Sequence, residues 1–257
     1  MCGDRIASLP AGLMTHISYG LSSTAWDGVV SRIESLIRER GCRRVVEIGG
    51  GANPTLSAAF IKESGVEYTL LDISADELGK APDTYHKVCA DICGDVSLLG
   101  PGYDLAFSRM LAEHVADGER FHRNIHTLVR PGGLAFHFFP TLYAPPFVVN
   151  SLLPERLASQ LLHLLQPGRE RSGKTGKFPA RYQWCRGPSR RQIKRFESAG
   201  YEVLQYDGFF GHEPYYQKIP LLLRLHRWIC AQLCRYPVAA MTSFAQVTLK
   251  RHEAGTA

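Results

Sequence analysis

Apolar side chains follow two different periodicities along this chain. Residues 26–40 repeat them at the three- and four-residue spacing of one helix face, and Gly41 follows as a helix-ending glycine. Other short runs are apolar at almost every position, which is typical of strands buried on both faces of a parallel sheet. These runs are residues 43–50, 66–74, 86–92, 103–108 and 132–140.

Helical patterns separate these strands, and the alternation resumes towards the carboxyl end. The spacing predicts helices over residues 54–64, 118–129, 189–199 and 220–234, and further strands over 201–210 and 243–251. A chain that alternates buried strands with helices folds into a parallel sheet covered by helices on both faces. We therefore predict an α/β fold.

The alternation breaks over residues 141–187, which are rich in Pro, Gly and Arg and hold one amphipathic pattern near 153–165. A length of 257 residues fits one large domain, since domains have roughly 100–200 residues. We predict a single domain over residues 1–257, with a helical cap at 1–41 and an insertion at about 141–187.

Two features bear on where the protein works. The uncharged stretch 131–154 contains five prolines and two glycines, so a strand followed by an apolar loop is favoured over a membrane span. Seven cysteines show no disulfide framework, and no apolar run follows a basic start before residue 13. We therefore expect a cytoplasmic protein with reduced thiols.

Charge is distributed unevenly. Residues 1–139 carry 13 cationic and 17 acidic side chains, whereas residues 140–257 carry 17 and 7, which gives net charges of −4 and +10. Ten of the cations lie between Arg169 and Arg195, where Glu170 is the only acid. This half of the chain is expected to attract an anion, a membrane surface or nucleic acid.

The segment VVEIGGGANP (45–54) predicts a ligand-binding turn. A strand leads into three glycines, which allow close approach to the backbone, and Asn53 and Pro54 are expected to cap and start the next helix. Pro54 stands where a dinucleotide fingerprint has its third glycine, and the G-K-[ST] of a P-loop is missing. Glu47 would repel a pyrophosphate but suits a cationic ligand.

This segment resembles the first motif of class I S-adenosylmethionine-dependent methyltransferases, written E/D-x-G-x-G-x-G, with Asn53 in place of the last glycine. Asp72, 21 residues after Gly51, ends the second predicted strand and resembles the second motif. Asp91, after the third, resembles the third motif. The segments YDLAFSRMLAEHV (103–115) and LVRPGG (128–133) are similar to elements at the family's fourth and fifth strands.

The resemblance implies a Rossmann-like, seven-stranded sheet with an antiparallel last strand, and S-adenosyl-L-methionine as the cofactor. It implies that Glu47 lies near the cofactor's amino-acid moiety, that Asp72 binds both ribose hydroxyls and that Asp91 lies beside the adenine. The implied cofactor contacts are Glu47, Gly49, Gly50, Gly51, Asn53, Asp72, Ile73, Asp91, Ile92 and Ser108. Tyr19 and Trp26 either close over the cofactor or simply pack the first helix.

The acceptor needs a base if a hydroxyl is methylated. His114 and its neighbour Glu113 are the catalytic candidates, because AEHV (112–115) resembles an element of the ubiquinone-type O-methyltransferases. In that group an acid three residues before the Glu helps to bind a divalent metal; here Met110 stands there, so we predict no metal site. His137 is expected in the core, and the loop residues Tyr143 and His212 are weaker candidates.

Two cationic segments have competing interpretations. Residues 168–196 mix cations with Phe178, Tyr182 and Trp184, which suits an acceptor lid for an anionic sugar. The same mix can bind RNA, and the cations of the predicted helix at 190–198 also fit a solvated helix face. Residues 219–235 resemble an interfacial amphipathic helix, although packing against the sheet is favoured.

These observations predict an enzyme that methylates an oxygen of a small molecule, sugar or glycan. The alternatives are a membrane-associated lipid or quinone methyltransferase, an RNA methyltransferase, and a cofactor-binding protein without catalysis. The expected partner is a small-molecule or glycan acceptor, for which the cations favour an anionic group, and peripheral membrane contact is the alternative. Nucleic acid is disfavoured because no N/D-P-P-[YF] motif follows the fourth strand.

Overall fold

The computed structural model describes residues 15–142 and 180–253. Its strands are β1 (His16–Leu21), β2 (Arg44–Ile48), β3 (Glu67–Asp72), β4 (His86–Cys89), β5 (Tyr103–Arg109), β6 (Val129–Pro140), β7 (Tyr201–Phe210) and β8 (Phe244–Arg251). Its helices are α1 (Ser22–Arg40), α2 (Ala58–Ser64), α3 (Ala75–Lys80), α4 (Gly118–Leu128), α5 (Arg190–Ser198) and α6 (Pro220–Arg235). The predicted pattern near 153–165, Tyr143 and Phe178 lie outside the described residues.

All eight strands form one sheet in the order β1-β7-β8-β6-β5-β2-β3-β4. Strand β8 runs antiparallel to both neighbours, and every other pair is parallel. The predicted α/β sheet with an antiparallel last strand is therefore confirmed. Because parallel strands end at one edge, the loops after β2, β3, β4 and β5 meet there.

The predicted count of seven strands is wrong by one. Residues 16–21, expected within a helical cap, form β1 and pair in parallel with β7 at the sheet edge, where His16 lies opposite Gln205. An edge strand needs hydrogen bonds on one side only and can remain partly exposed, so its apolar pattern is weak. Ile17 and Leu21 are indeed exposed.

Helices cover both faces of the sheet, as predicted. On one face, Val29 and Ile33 of α1 belong to a buried cluster with Phe136 of the sheet. On the other, Phe121 of α4 and Phe196 of α5 belong to a second buried cluster. Burial of these large apolar side chains is the main favourable contribution to the stability of the fold.

The helix predicted from residue 54 begins later than expected. Helix α2 begins at Ala58, where the Ser57 hydroxyl caps it by accepting the Phe60 N–H at 3.1 Å. Asn53 instead donates its backbone N–H to the Gly50 carbonyl at 2.9 Å, which closes a turn. Asn53 therefore belongs to the glycine loop and is not a helix cap.

Helix α6 contacts the sheet at β1 and β7, as expected, but most of its apolar side chains remain exposed. Cys230 is the one buried residue of its sixteen, whereas Leu221 and Trp228 are 78% and 61% exposed. Within the described ranges, no helix combines the length and apolar character needed to cross a membrane.

Candidate functional site

A cleft of about 460 Å³ opens at the carboxyl ends of β2, β3, β4 and β5. Open α/β sheets bind their ligands at this edge. The lining residues are Ile48, Gly49, Leu71, Asp72, Ile73, Ala90, Asp91, Ile92, Cys93, Met110, Leu111, His114, Val115, Ala116 and Arg181. Residues from all four strand ends therefore line the same cleft as Arg181, which belongs to the segment after residue 180.

The glycine loop has no room for side chains, and of its predicted contacts Gly49 lines the cleft whereas Gly50, Gly51 and Asn53 are not among the lining residues. Gly49 has a φ of 79°, and a Cβ there would lie 2.6 Å from Cδ1 of Leu111. Gly51 has a φ of 40°, and a Cβ there would lie 3.0 Å from Oδ2 of Asp72. A Cβ on Gly50 would lie 2.8 Å from Leu70. The loop thus requires glycine for both conformation and space.

Glu47 lies behind the loop and does not line the cleft. Its side chain is buried, and its Oε2 accepts the Thr55 N–H at 2.9 Å and the Tyr68 hydroxyl. Its Oε1 accepts the Thr55 hydroxyl at 2.5 Å. Burial raises the pKa of Glu47, and the bonds from Thr55 and Tyr68 oppose that rise. Glu47 precedes the glycine loop and Thr55 follows it, so these hydrogen bonds hold the two ends of the loop together.

Asp72 and Ile73 project from the end of β3 into the cleft. Asp72 Oδ1 accepts the Ser74 N–H at 2.9 Å, which fixes the direction of the carboxylate. Burial raises the pKa of Asp72, while the Ser74 amide lowers it. Ile73 is 58% exposed, and an apolar side chain in that position gains stability when a flat apolar group covers it.

Asp91 and Ile92 line the cleft after β4. The Asp91 side chain is exposed, and its Oδ1 accepts the Cys93 N–H at 2.8 Å, so the turn is held by the side chain itself. Ile92 is buried beneath it. The structure thus brings Asp72, Ile73, Asp91 and Ile92 to one side of the cleft.

Ser108 and His137 lie in the core and not in the cleft. Both are fully buried, and the Ser108 Oγ lies 2.8 Å from His137 Nδ1. Burial lowers the pKa of His137 to about 3, so its imidazole is neutral at physiological pH. Neighbouring strands β5 and β6 bring the two residues together in register.

The two catalytic candidates, His114 and Glu113, differ in their exposure to the cleft. The His114 side chain lines the cleft and is 33% exposed, whereas the Glu113 side chain is 4% exposed. Their closest atoms, His114 Nε2 and Glu113 Oε1, are 3.6 Å apart. Burial raises the pKa of Glu113 to about 8. Its Oε2 is buried without a hydrogen-bond partner in the part of the chain that is described.

Backbone hydrogen bonds attach the segment after residue 180 to Glu113. The Glu113 carbonyl accepts the N–H groups of Arg181 and Tyr182 at 2.7 and 2.9 Å, and the Arg181 side chain lines the cleft. Met110 has a φ of 55°, a strained conformation for a residue with a side chain. Strain of this kind is concentrated at functional sites, so Met110 is a site residue that the sequence pattern did not identify.

Three other candidates lie away from the cleft. Tyr19 stacks on Phe210 with ring centroids 5.7 Å apart, and Trp26 packs edge-on against Phe138 at 5.1 Å. Trp26 and His212 line a separate cleft of about 550 Å³ between α1, the end of β7 and α6. Within the described residues, Tyr19 and Trp26 therefore pack against aromatic side chains of the sheet, in agreement with the packing interpretation.

The chemistry of the first cleft fits S-adenosylmethionine. Its volume lies within the range of roughly 300–1,000 Å³ that is common for small-ligand sites. Asp72 offers a carboxylate to paired hydroxyls, Ile73 and Ile92 offer apolar walls to a purine, and Gly49 lines the cleft without a side chain. Among the described residues that line it there is no lysine to attract a phosphate, and Arg181 is the single arginine.

Comparison with known proteins agrees with this chemistry. A family described as "Methyltransferase domain" matches residues 23–206. A S-adenosylmethionine-dependent methyltransferase from Clostridium acetobutylicum ATCC 824 has 10% identity, covers 88% of this chain and 92% of its own, and gives a TM-score of 0.53. No curated protein matches the sequence.

Two further solved structures share the fold at low identity. Geranyl diphosphate C-methyltransferase from Streptomyces coelicolor A3(2) has 12% identity over 86% of this chain and 78% of its own, with a TM-score of 0.52. Phosphoethanolamine N-methyltransferase 2 from Haemonchus contortus has 14% identity over 87% and 53%, with a TM-score of 0.51. Both structures contain S-adenosylmethionine or S-adenosylhomocysteine.

Proposed function

The chain belongs to the class I S-adenosylmethionine-dependent methyltransferases, and from that premise we propose that it methylates a hydroxyl oxygen of a small molecule or sugar. The observation that supports this proposal is the position of His114, whose side chain lines the same cleft as Gly49, Asp72 and Ile73. A base is needed for a hydroxyl acceptor, because the oxygen must lose its proton as it is methylated.

The proposal also gives the residues of this cleft roles in holding the cofactor. Asp72 binds the ribose hydroxyls, Ile73 and Ile92 enclose the adenine, and Asp91 lies beside it. Glu47 contributes indirectly, by holding the glycine loop in place, because its carboxylate oxygens accept hydrogen bonds from Thr55 and Tyr68. When bound, S-adenosylmethionine supplies a methyl group on a sulfonium, which is already activated for in-line displacement.

In this proposal His114 is the general base and Glu113 is a positioning residue. A proton taken up at His114 Nε2 faces Glu113 Oε1 at 3.6 Å, so Glu113 favours the imidazolium once it is ionised, as the pH approaches its raised pKa of about 8. Glu113 is buried and is not among the residues that line the cleft, which suits holding the imidazole better than contacting an acceptor.

The proposal is tested by transfer of labelled methyl from S-adenosylmethionine to small-molecule, glycan, lipid and RNA fractions of a lysate. Label in a hydroxylated small-molecule or glycan fraction, lost with His114→Ala while cofactor binding persists, supports O-methylation. Label confined to RNA, or unchanged label with His114→Ala, contradicts it.

A second candidate function, methylation of a lipid or quinone at a membrane surface, is favoured by helix α6. Its apolar side chains Leu221, Leu225 and Trp228 are exposed, and Arg224 and Arg227 lie between them. Cations beside exposed apolar side chains are typical of helices that bind the interface of anionic membranes. Flotation with vesicles containing anionic phospholipid, lost with Leu221→Glu and retained with Glu202→Gln, would support this candidate.

A further inference from the structure

A further polar pocket lies at the amino end of α5, and its lining residues are distinct from those of the cofactor cleft. Its volume is about 380 Å³. The lining residues are Arg186, Gly187, Ser189, Arg191, Gln192, Arg195, Ala239 and Ala240. Three of these eight residues are arginines and none of the eight is acidic, so the residues that line the pocket concentrate positive charge.

One buried side chain in this pocket has a donor with no acceptor. Gln192 is 1% exposed, and its Oε1 accepts a hydrogen bond from Arg195 Nη1 at 3.2 Å. This bond fixes the orientation of the amide, since the arginine can only donate. Gln192 Nε2 is then buried without a hydrogen-bond partner among residues 15–142 and 180–253. A buried amide donor that lacks an acceptor is unfavourable, and an anion in the pocket would satisfy it.

The backbone adds further donors at the same place. Ser189 caps α5 by accepting the Gln192 N–H, and the first turn of any helix leaves N–H groups without intrahelical acceptors. These groups and the helix dipole favour a negative charge at this end. The nine residues of α5 contain no acid in the first turn that could occupy the position.

Two of the arginines are held in place before any ligand arrives. Arg186 Nη1 donates to the Tyr182 and Cys185 carbonyls at 2.8 and 3.0 Å. The Arg195 guanidinium lies 6.0 Å from the centre of the Trp184 ring. Because their side chains are already ordered, less conformational entropy is lost when they bind an anion.

We propose that this pocket binds a phosphoryl group. Three guanidinium groups, a helix amino terminus and an amide donor suit a tetrahedral dianion with several oxygens better than a singly charged carboxylate. The chain passes from Arg181 in the cofactor cleft to Arg186 in this pocket within five residues, a span of at most about 17 Å. The phosphoryl group is therefore part of the methyl acceptor, an assignment that rests on the proposed function.

Equilibrium binding of inorganic phosphate and glucose 6-phosphate to the full chain tests the site without the reaction. We expect both to bind the parent and to bind the Arg191→Gln/Arg195→Gln variant at least roughly tenfold more weakly. Gln192→Met, which keeps the volume but removes the amide, weakens binding as well. Lys194→Gln removes one charge from an exposed residue of the same helix that does not line the pocket, and it leaves binding unchanged.

A second set of binding measurements, with vesicles that contain phosphatidic acid, distinguishes a soluble phosphate ester from a lipid headgroup. Binding of the soluble esters that is lost in the double variant assigns a soluble phosphorylated acceptor, whereas vesicle binding alone, lost in the same variant, assigns a lipid headgroup. Thermal unfolding and S-adenosylhomocysteine affinity at parental values show that each variant is folded. Equal affinities in the parent and the double variant, or no binding of any probe, overturn the phosphoryl site and leave the proposed methyl transfer standing. Phosphate binding that is weakened in the double variant, without methyl transfer to any fraction, supports the phosphoryl site and contradicts the proposed methyl transfer.

Discussion

Glu113 Oε1 lies 3.6 Å from His114 Nε2, although the two side chains differ sharply in exposure. His114 lines the cleft, whereas Glu113 is enclosed and its pKa is raised to about 8 by burial. A buried acid beside a partly exposed imidazole, at the edge where the strands end, is the kind of perturbed pair that marks functional sites. The pair is the basis of the first two predictions.

Replacement of His114 separates chemistry from cofactor binding. With His114→Ala we expect kcat to fall by about 10²–10⁴, the contribution typical of a general base, while S-adenosylhomocysteine affinity changes little. Single-turnover methyl transfer and calorimetric titration measure the two quantities. Replacement of the core histidine, His137→Asn, should instead lower thermal stability, because that ring contacts Ser108 and not the cleft.

Replacement of Glu113 changes the pH dependence of stability. The folded-state pKa of about 8 exceeds the ordinary value of 4.5, so the native state holds the proton more tightly than the unfolded state. The resulting stability is complete below about pH 4.5 and is lost as the pH rises to about 8, by up to about 1.4 kcal/mol for each pH unit. Denaturant unfolding at pH 5 to 8.5 should show this loss in the parent but not in Glu113→Gln.

The same variant gives a second readout that a purely structural role does not produce. If the Glu113 carboxylate favours the imidazolium, kcat of the parent rises through about pH 8 and that of Glu113→Gln does not. Parallel pH profiles for the two proteins would contradict the positioning role, whatever their absolute rates.

Gly49 and Leu111 are predicted to be coupled. Gly49→Ala combines an unfavourable positive φ with a contact at 2.6 Å, so it should destabilise the fold by about 1–3 kcal/mol and weaken cofactor binding. Leu111→Ala should partly restore binding in the double variant, because it removes the atom that clashes. Gly79→Ala is the matched control, since a Cβ there meets nothing within 4 Å and the residue lies inside α3.

Thr55 supports the cleft indirectly, through Glu47. Thr55→Val removes the hydroxyl that donates to Glu47 Oε1 and leaves a buried carboxylate oxygen without that partner. We expect a loss of about 1–3 kcal/mol in the free energy of unfolding, together with weaker cofactor binding. Thr55→Ser keeps the hydroxyl and should retain most of both. A Thr55→Val protein with parental cofactor affinity would show that the loop does not depend on this bond.

The parallel strands and the order of the motifs could be predicted from the sequence because each depends on local patterns. The apolar runs, the glycine turn and Asp72 are contiguous features, and the structure places Asp72 and Gly49 in one cleft. Strand β1 could not be predicted in the same way, since its pairing with β7 joins residues 189 positions apart, as in the Ser18–Asp207 hydrogen bond of 2.6 Å.

The sequence also could not assign the contacts of each site residue. Glu47 and Ser108 lie at the expected strand ends, but their directions depend on partners elsewhere, Thr55 and Tyr68 for one and His137 for the other. Tertiary contacts of this kind leave no periodic signal. Three consecutive glycines predicted a ligand-binding turn, whereas the crowding of Gly49 by Leu111 depends on the fold.

The account depends most directly on Asp72 as the residue that binds the cofactor's ribose in the cleft. Calorimetric titration of S-adenosylhomocysteine into the parent, Asp72→Asn and Asp76→Asn tests it, because asparagine keeps an acceptor for the Ser74 N–H and Asp76 is an exposed acid outside the cleft. We predict clear binding to the parent and Asp76→Asn, and affinity at least about tenfold lower for Asp72→Asn. No heat with the parent, or equal affinity in all three proteins, would contradict the account.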